Sequence, residues 1–358
     1  MIHQKRLEHV IENMKQKHLS QIIVSSTASI YYLTDIWIEP FERLLALYIR
    51  DNGETVLFAN EIFGLSPQDG MKLSTHTDCN NPVVQLAQTV KAGEIGIDKF
   101  WSAKFLIGLM DLRKDIQPVN GSEPVDFARM LKDDEEIHAM RKASRINDSV
   151  VERAIAAIRE GVKETDLSDL VEKQYAENGG NRSPEGQLVC FGANGADPHH
   201  FPENVEIKEG DSVILDIFNP IRRYWCDMTR TVFFRSATEE QKKVYETVLK
   251  ANRAAENKIR PGLLLCDFDR AARQVIEDAG YGKYFTHRLG HGAGLECHEI
   301  PDNSAASKVV AQPGMVFSVE PGIYLPGKFG VRIEDLVLVT EDGCEVLNQA
   351  SKEFRIVG

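Results

Sequence analysis

The sequence lacks the features that define several large classes of protein. Its six cysteines are dispersed over 358 residues without a CxxC pair, which argues against a disulfide framework and favours free thiols in a reducing cytosol. No apolar run approaches the length of a membrane span, and the polar N-terminus is unlike a secretory signal. Basic residues are fewer than acidic residues, and the resulting net charge of −12 argues against nucleic acid or anionic membranes as partners. We therefore expect a globular, cytoplasmic protein.

The length and the apolar patterning predict two domains. A chain of 358 residues exceeds one typical domain. Residues 1–19 predict an amphipathic helix, and several short apolar runs predict the strands of a small α/β domain. These runs are residues 21–25, 45–49, 55–58 and 95–98. The polar, proline-containing stretch 117–124 is the best boundary. We assign residues 1–122 to the N-terminal domain and residues 123–358 to the C-terminal domain.

The C-terminal domain contains two similar pairs of predicted helices. Hydrophobic periodicity predicts them over residues 134–158, 166–178, 239–259 and 267–279. Short matching segments in the two pairs are offset by 101 residues, and Gly179 and Gly280 follow the second helix of each pair at that offset. Because strand-like runs follow each pair, we expect an α+β domain with pseudo-twofold symmetry and a curved antiparallel sheet.

Five residues in this domain have the character of a two-metal centre: Asp216, Asp227, His291, Glu320 and Glu334. Four of them stand in or beside β-like apolar runs, where an uncompensated buried charge costs several kcal/mol. Taken singly, each is more simply explained as a turn or cap residue. Taken together, their ligand charge of about −4 balances two divalent cations. The oxygen-rich set favours Mn²⁺, Co²⁺, Fe²⁺ or catalytic Zn²⁺, and two such ions hold a water that ionises near neutral pH.

The segments around these residues resemble those of the pita-bread metallopeptidases. They are residues 215–216, 226–231, 287–292, 295–299, 317–324 and 331–334. They are most similar to those of bacterial Xaa-Pro dipeptidases (prolidases) and aminopeptidase P. The resemblance implies a pita-bread catalytic domain preceded by a smaller creatinase-like α/β domain. It also implies a homodimer with two divalent ions per subunit, Mn²⁺ first among the candidates, with Asp227 and Glu334 shared between both ions.

The same resemblance assigns roles to the residues around the metals. Glu320 would be both a metal ligand and the proton shuttle to the leaving nitrogen. His298 would hydrogen-bond the oxyanion that develops on the scissile carbonyl. The implied substrate-binding residues are His199, His287, Arg288, Tyr324, Arg332 and Arg43. Two of the polar residues have simpler explanations, since Arg332 could form a strand-edge salt bridge and His200 could be a loop residue.

Two segments depart from the family pattern. After Asp216 the family usually carries a small residue and then glycine, whereas residues 217–220 here read Ile-Phe-Asn-Pro. We expect a differently shaped hairpin and an unchanged site. The loop 38–43, which reaches over the partner's active site in bacterial prolidases, has Glu39 and Phe41 where Asp and His are common. Phe41 predicts a preference for apolar residues before proline. Cys226 and Cys297, next to the site, are interpreted as small packing residues.

The leading hypothesis is a dimeric Xaa-Pro dipeptidase that releases proline from dipeptides through a metal-bridging hydroxide. The short chain and Arg288, which would pair with the carboxylate of a terminal proline, favour it over aminopeptidase P activity on longer X-Pro peptides. Two competing hypotheses are creatine-type amidine hydrolysis on the same fold and a catalytically silent scaffold. The five intact ligands argue against both, and the intact His298 argues further against the scaffold.

Overall fold

A computed structural model describes residues 2–181 and 186–358 of the chain. The chain divides into two compact units, Met1–Arg129 and Met130–Gly358. The boundary expected between residues 122 and 123 precedes helix α5 (Glu123–Met130). This helix is tied to the first unit, because Asn13 Nδ2 donates to Pro124 O at 2.9 Å and Tyr32 Oη donates to Ala128 O at 3.2 Å.

The N-terminal unit is an α/β structure, as the apolar runs predicted. Its other helices are α1 (Gln4–Gln16), α2 (Thr27–Thr34), α3 (Val83–Thr89) and α4 (Ala103–Leu112). Its strands are β1 (Gln21–Val24), β2 (Ala46–Arg50), β3 (Thr55–Asn60), β4 (Lys72–His76), β5 (Gly93–Ile97) and β6 (Ile116–Asn120). They form a mixed sheet in the order β4-β3-β2-β1-β5-β6, in which β1 pairs antiparallel with β2 and parallel with β5. Met1, at the start of the predicted helix over 1–19, lies outside the described residues.

Helix α1 shows why the N-terminal pattern folds as it does. Its apolar residues Leu7, Val10 and Met14 recur at helical spacing and are buried, while the residues between them are mostly exposed. Strand β1, in contrast, is buried along its whole length, because it lies in the middle of the sheet with a neighbour on each side.

The C-terminal unit is built from two helix pairs and mainly antiparallel sheets. Its helices are α6 (Asp134–Ala156), α7 (Glu164–Glu177), α8 (Glu239–Glu256) and α9 (Leu265–Asp278). Its strands are β7 (Leu188–Phe191), β8 (Ser212–Ile221), β9 (Tyr224–Phe234), β10 (Gly290–Gly292), β11 (Glu299–Asn303), β12 (Val316–Val319), β13 (Gly322–Leu325), β14 (Phe329–Arg332), β15 (Asp335–Val339), β16 (Cys344–Val346) and β17 (Ile356–Val357). The sheets have the orders β11-β10-β12-β15-β16 and β17-β9-β8-β7, and β13 pairs with β14. Among the described strand pairs of this unit, the short β17 alone runs parallel to its neighbour, β9. The α+β class predicted from the sequence is confirmed.

The helix ends follow from local side-chain chemistry. A capping box starts α6, where Asp133 and Glu136 satisfy each other's backbone amides, and Thr238 does the same with Gln241 at α8. Gly179 and Gly280 follow α7 and α9 with φ of +81° and +85°, a conformation that a side chain would strain. The repeated glycines of the sequence are therefore helix terminators.

The segment that departs from the family pattern lies in the long hairpin of β8 and β9. Residues 217–220 do not leave the sheet but continue β8 in register with β9. Arg222 and Arg223, between the two strands, have φ of +50° and +82°. Positive φ at two central residues matches the twist of a tight antiparallel hairpin.

Among the described residues, no helix combines the length and the apolar character needed to span a bilayer. The six cysteines all fall within these residues and are free thiols, as their dispersed spacing predicted.

Candidate metal centre

A cavity of about 480 Å³ in the C-terminal unit collects the candidate ligands. Its volume lies in the range of small-molecule binding sites. All five predicted metal ligands line it, and so do five further predicted site residues: His199, His287, Arg288, His298 and Arg332. The other lining residues are Leu188, Pro198, Phe201, Phe218 and Cys297. Sequence positions that are more than a hundred residues apart thus meet in one concave site.

The register of β8 and β9 places two of the carboxylates on one face. Asp216 pairs with Thr229, and Phe218 pairs with Asp227. Paired residues of antiparallel strands point to the same face, as do residues two apart on one strand. Asp216 and Asp227 therefore face the cavity together, although eleven positions separate them along the chain.

Backbone hydrogen bonds place the other two carboxylates. Glu334 lies between β14 and β15, and its amide donates to Thr229 O at 3.1 Å. Glu320 follows β12, and its amide donates to Leu289 O at 2.9 Å. Both acids stand where a strand ends, so their positions depend on strand pairing and not on flexible loops.

The donor atoms are close enough to share metal ions. Oxygens of Asp227 and Glu334 and a ring nitrogen of His291 lie within 4.8 Å of one another, and all three residues are buried. His291 Nε2 is 3.7 Å from Asp227 Oδ2 and 3.5 Å from Glu320 Oε1. His291 Nδ1 donates to Gly292 O at 3.2 Å, which leaves the lone pair on Nε2, on the side of the carboxylates. This is the tautomer that binds a metal.

The carboxylates of the cluster repel one another unless cations lie between them. Burial, then the charges of Asp216 and Glu320, raise the pKa of Asp227 well above its ordinary value. Burial, then the charges of Asp227 and Glu320, do the same to the pKa of Glu334. Burial also raises the pKa of Glu320 to about 7 and lowers the pKa of His291 to about 3, which keeps the imidazole neutral. Divalent cations would relieve this repulsion, so the donor set fits a metal centre.

Two hydroxyl residues that the sequence did not single out orient the ligands. Thr229 Oγ1 donates to Glu334 Oε2 at 2.7 Å. Ser318 Oγ donates to Glu320 Oε1 at 3.0 Å and accepts from the His291 amide at 2.9 Å. Each hydroxyl lies two residues from a ligand in the chain, and therefore on the ligand's face of its strand. That spacing is the signal by which they could have been found.

Arg332 connects several parts of the cavity wall. Its Nη2 donates to Asp216 Oδ2 at 2.6 Å, its Nη1 to Tyr324 Oη at 2.8 Å and its Nε to Thr229 Oγ1 at 3.0 Å. Only 4% of Arg332 is exposed, so this is an internal ion pair and not a pair at the edge of a strand. The guanidinium compensates Asp216 and, through Thr229, supports a second ligand.

His287 and Arg288 form a further part of the wall. His287 Nδ1 donates to Arg288 O at 2.7 Å, so its Nε2 accepts from Tyr324 Oη at 2.9 Å. Burial, then the charge of Arg332, lower the pKa of His287 to about 3, and the imidazole is neutral. Arg288 Nη1 donates to Asp302 Oδ1 at 2.8 Å, which steadies the guanidinium. This part of the cavity therefore presents a steadied cation beside a neutral imidazole.

The remaining predicted histidines differ in their surroundings. The His298 ring lies against the His291 ring, with the centroids 4.0 Å apart and the ring planes tilted by 54°. His199 belongs to the loop after the 3-10 helix Gly192–Ala196. His200, the next residue, turns away to Glu164 at 3.3 Å.

Glu164 anchors the loop that carries His199. This carboxylate is fully buried and accepts hydrogen bonds from the amides of Phe191 and Glu203 at 2.7 and 2.9 Å. It also accepts from Asn194 Nδ2 at 3.0 Å and contacts His200 Nε2. A buried carboxylate with this many partners holds the loop at both ends.

Arg43 is the predicted site residue that belongs to the N-terminal unit. Its guanidinium forms a bidentate pair with Asp78 at 2.9 and 3.0 Å and contacts Glu42 at 2.9 Å. Phe41, in the same loop, is 85% exposed and has a φ of +50°.

The two cysteines near the site have different surroundings. Cys226 is fully buried and its thiol donates to Asn219 O at 3.3 Å, as a packing residue does. Cys297 lines the cavity, and its Sγ lies 3.5 Å from Asp227 Oδ2. Burial, then the charge of Asp227, raise the pKa of the Cys297 thiol well above its ordinary value, so it is a neutral donor to the carboxylate.

Two family models match the chain. Residues 138–341, more than half of the chain, match metallopeptidase family M24, and residues 6–131 match the creatinase/prolidase N-terminal domain. The chain belongs to metallopeptidase family M24. Members of this family are metal-dependent, so the chain is a metallopeptidase with a candidate metal site in its C-terminal unit. The family, the enzyme class and the two-domain fold expected from the sequence motifs are confirmed.

Solved structures of this family cover nearly the whole chain. A dipeptidase from Pyrococcus horikoshii is 34% identical with a TM-score of 0.92, covering 98% of this chain and 100% of that one. A prolidase from Thermococcus sibiricus is 33% identical with a TM-score of 0.93, covering 100% of both chains. An Xaa-Pro dipeptidase from Bacillus anthracis is 29% identical with a TM-score of 0.91, covering 99% of both chains. Both units of the chain therefore take part in the likeness.

Proposed function

We propose that this metallopeptidase is an Xaa-Pro dipeptidase with two metal ions in each subunit. One observation carries the proposal: the five predicted metal ligands and the Arg288 cation line the same cavity. The names of similar structures, a prolidase and an Xaa-Pro dipeptidase, support the same substrate class. Asp216, Asp227, His291, Glu320 and Glu334 would hold the ions, with Asp227 and Glu334 shared between both. When bound, such ions supply a water that ionises near neutral pH and polarise the scissile carbonyl.

The substrate would enter with its two charged ends in opposite surroundings. Its carboxylate pairs with the Arg288 guanidinium beside the neutral His287 imidazole, at the part of the wall steadied by Asp302. Its ammonium lies toward the acids of the metal centre. A bidentate, charge-assisted pair with Arg288 rewards a peptide that ends at the residue after the scissile bond.

Glu320 would move the proton that the reaction requires. Its carboxylate is held by Ser318 and takes a proton from the attacking water. It then delivers that proton to the proline nitrogen as the C–N bond breaks, because the nitrogen of this tertiary amide is a poor leaving group until it is protonated. The products are the free amino acid and proline. His298, beside His291, would donate to the oxygen of the scissile carbonyl as negative charge develops there.

Hydrolysis of a matched set of peptides tests this proposal. The purified, Mn²⁺-loaded protein is assayed with Leu-Pro, Leu-Pro-NH₂, Leu-Pro-Gly and Leu-Ala. We expect Leu-Pro to exceed its amide by about tenfold to a hundredfold in kcat/KM, because a charge-assisted pair contributes about 1.5–3 kcal/mol. Arg288→Gln should remove that difference. Arg270→Gln is the matched control, since Arg270 is an exposed arginine paired with Asp267 on helix α9.

Other results would redirect the proposal. Equal rates on Leu-Pro and Leu-Pro-Gly would support aminopeptidase P activity. Faster hydrolysis of Leu-Ala than of Leu-Pro would contradict proline specificity. Metal analysis should give about two equivalents per chain, and EDTA should abolish activity until metal is restored. Well under one equivalent, with activity unaffected by EDTA, would contradict the dinuclear centre.

We propose further that Mn²⁺ is the native metal, that the enzyme is a homodimer and that it is cytoplasmic. The oxygen-rich donor set supports Mn²⁺. The exposed Phe41 and the Arg43–Asp78 pair of the loop 38–43 support a role for that loop at a partner's site. Free cysteines support a reducing compartment. Metal analysis of protein from unsupplemented cells, sedimentation equilibrium and cell fractionation check the three statements in turn.

A further inference from the structure

The wall of the cavity has an apolar part beside its charged part. The apolar lining residues are Leu188, Pro198, Phe201 and Phe218. Leu188 pairs directly with Asp216 across β7 and β8, and Phe218 lies two residues beyond Asp216 on β8. Leu188, Asp216 and Phe218 therefore share the face that borders the cavity. The apolar surface adjoins the Asp216 side of the metal centre.

Phe218 is held firmly in this wall. Its amide donates to Gln187 Oε1 at 3.0 Å, and its carbonyl accepts from Gln187 Nε2 at 3.1 Å. Gln187 is fully buried and also donates to Glu172 Oε1 at 2.6 Å. The Phe218 ring packs on Trp225, with the centroids 6.2 Å apart. A residue held through its backbone and packed against a neighbouring ring forms a rigid surface, which is what a specificity pocket needs.

Phe201 extends the apolar surface toward solvent. It lines the cavity while 59% of the residue remains exposed. Its loop is anchored by the buried Glu164 through the amide of Glu203. A large aromatic side chain held in this exposed position gains by being covered, and a bound apolar group would cover it.

Charge decides which part of a substrate meets this wall. The Arg288 cation attracts the carboxylate end of a dipeptide. The scissile bond would lie at the metal centre, so the residue before that bond lies on the far side of the metals from Arg288. The residue at the ammonium end therefore places its side chain on the Asp216 side of the cavity, where Leu188 and Phe218 lie. A charged side chain there would lose hydration against apolar carbon without gaining a partner in that wall.

We propose that Leu188, Phe201 and Phe218 form a subsite for an uncharged, apolar side chain on the residue before the scissile bond. Phe218 is its specificity-determining residue. This inference rests on the proposed dipeptidase function and adds the class of side chain that the enzyme selects. Because the wall is uncharged, it discriminates against lysine as well as aspartate.

Near-isosteric substrates separate the apolar wall from the charge of the metal centre. The Mn²⁺-loaded enzyme is assayed with norleucyl-Pro, Lys-Pro and Gly-Pro as wild type, as Phe218→Asn and as Phe218→Leu. In the wild type, norleucyl-Pro should exceed Lys-Pro by about tenfold or more in kcat/KM, because the lysine ammonium loses hydration against the apolar wall without gaining a partner there. Phe218→Asn should reduce that ratio at least fivefold. Phe218→Leu, which keeps apolar carbon in the wall, should retain it within about threefold.

Gly-Pro has no side chain for the subsite and reports on the metal centre alone. Phe218→Asn should therefore change the kcat/KM of Gly-Pro less than it changes that of norleucyl-Pro. A norleucine-to-lysine ratio unchanged in Phe218→Asn, with Gly-Pro hydrolysis normal, would overturn the subsite. So would a wild-type enzyme that prefers Lys-Pro.

A binding measurement keeps the subsite testable if the dipeptidase proposal fails. Calorimetric titration of the metal-loaded protein with free norleucine and free lysine requires no hydrolysis. If the wild type cleaves no Xaa-Pro peptide but binds norleucine more tightly than lysine, and Phe218→Asn abolishes the difference, the function is wrong and the subsite stands. If wild type and Phe218→Asn bind the two amino acids alike, the subsite is wrong.

Discussion

Arg230→Met should destabilise the catalytic unit more than most single substitutions. Arg230 is 1% exposed and lies on β9 beside Thr229. Its Nη2 donates to Asp335 Oδ1 at 2.7 Å and to Ala350 O at 2.8 Å. Its Nη1 donates to Glu334 O at 2.6 Å and to Thr229 O at 3.0 Å. One guanidinium thus satisfies a buried carboxylate and three backbone carbonyls behind the metal centre.

The size of the loss follows from what the substitution leaves behind. Asp335 is fully buried, and although burial alone would raise its pKa, Arg230 and Lys352 hold that pKa below its ordinary value. Lys352 would still be present in the variant, with its Nζ 3.0 Å from Asp335 Oδ2. The same Nζ also forms an ion pair with Glu256 at 2.8 Å, so it does not replace Arg230. Removing one partner of a buried ion pair costs about 3–5 kcal/mol. A unit of this size loses about 2–4 °C in Tm for each kcal/mol, so we expect a fall of about 6–20 °C.

Thermal unfolding of the metal-free and the metal-loaded protein measures the loss. The matched control is Arg253→Met, because Arg253 forms an ion pair with Glu353 at 2.6 Å but is 51% exposed at its side chain. Exposed pairs contribute about 0–1 kcal/mol, so the control should change Tm by no more than a few degrees. Metal affinity should also fall in Arg230→Met, because the guanidinium holds the backbone of Glu334. Equal, small shifts in the two variants would refute the argument that burial makes this pair critical.

Three further results are expected. His298→Ala should lower kcat by about 10²–10³ while the metal content, measured by elemental analysis, stays at the wild-type level; loss of metal would make His298 a ligand or a structural residue instead. Glu164→Gln should raise KM by about tenfold and change kcat less, because it loosens the loop of His199 and Phe201, and an unchanged KM would contradict this role. Burial, then the charge of Asp335, raise the pKa of Glu256 to about 7 from its ordinary value of 4.5. Because the pKa of Glu256 is higher in the folded state than in the unfolded state, protonation of this residue stabilises the fold. This contribution is fully present below pH 4.5 and is lost as the pH rises through about 7. The Tm of the wild type should therefore fall relative to that of Glu256→Gln over this window, and parallel Tm–pH curves for the two proteins would exclude the effect.

The elements of the fold were largely predictable because each carries its own pattern. The periodicity that predicted a helix over 134–158 reflects one buried face, and α6 (Asp134–Ala156) has that face. Its start could be located because Asp133 and Glu136 form a local capping box. The end of the N-terminal unit was harder to locate. Helix α5 begins within the polar stretch 117–124 and packs with that unit through contacts to residues over ninety positions earlier.

The candidate ligands were recognisable because a charge inside an apolar run is costly without compensation. Asp216 and Asp227 interrupt or end such runs, and both line the cavity. Their supporting hydroxyls were not recognised. Thr229 and Ser318 are ordinary residues for a strand, and only the approach of Glu334 and Glu320 gives them partners. Nothing near Arg230 in the sequence indicates that this arginine is buried. Its burial among backbone carbonyls depends on strands and loops that are distant in the chain.

The family, the fold class and the candidate metal ligands could be inferred from the sequence alone, because they depend on local patterns of apolar and charged residues and on motifs that stand within a few positions. Which of the remaining residues meet at the site depends on the tertiary fold. In the sequence, Phe218 is only an apolar residue of a strand-like run. The register of β7, β8 and β9 places it beside Leu188 and opposite Asp227. Strand pairing brings together residues that are far apart in sequence, and a shift of one residue in register would turn the Phe218 side chain to the other face of the sheet.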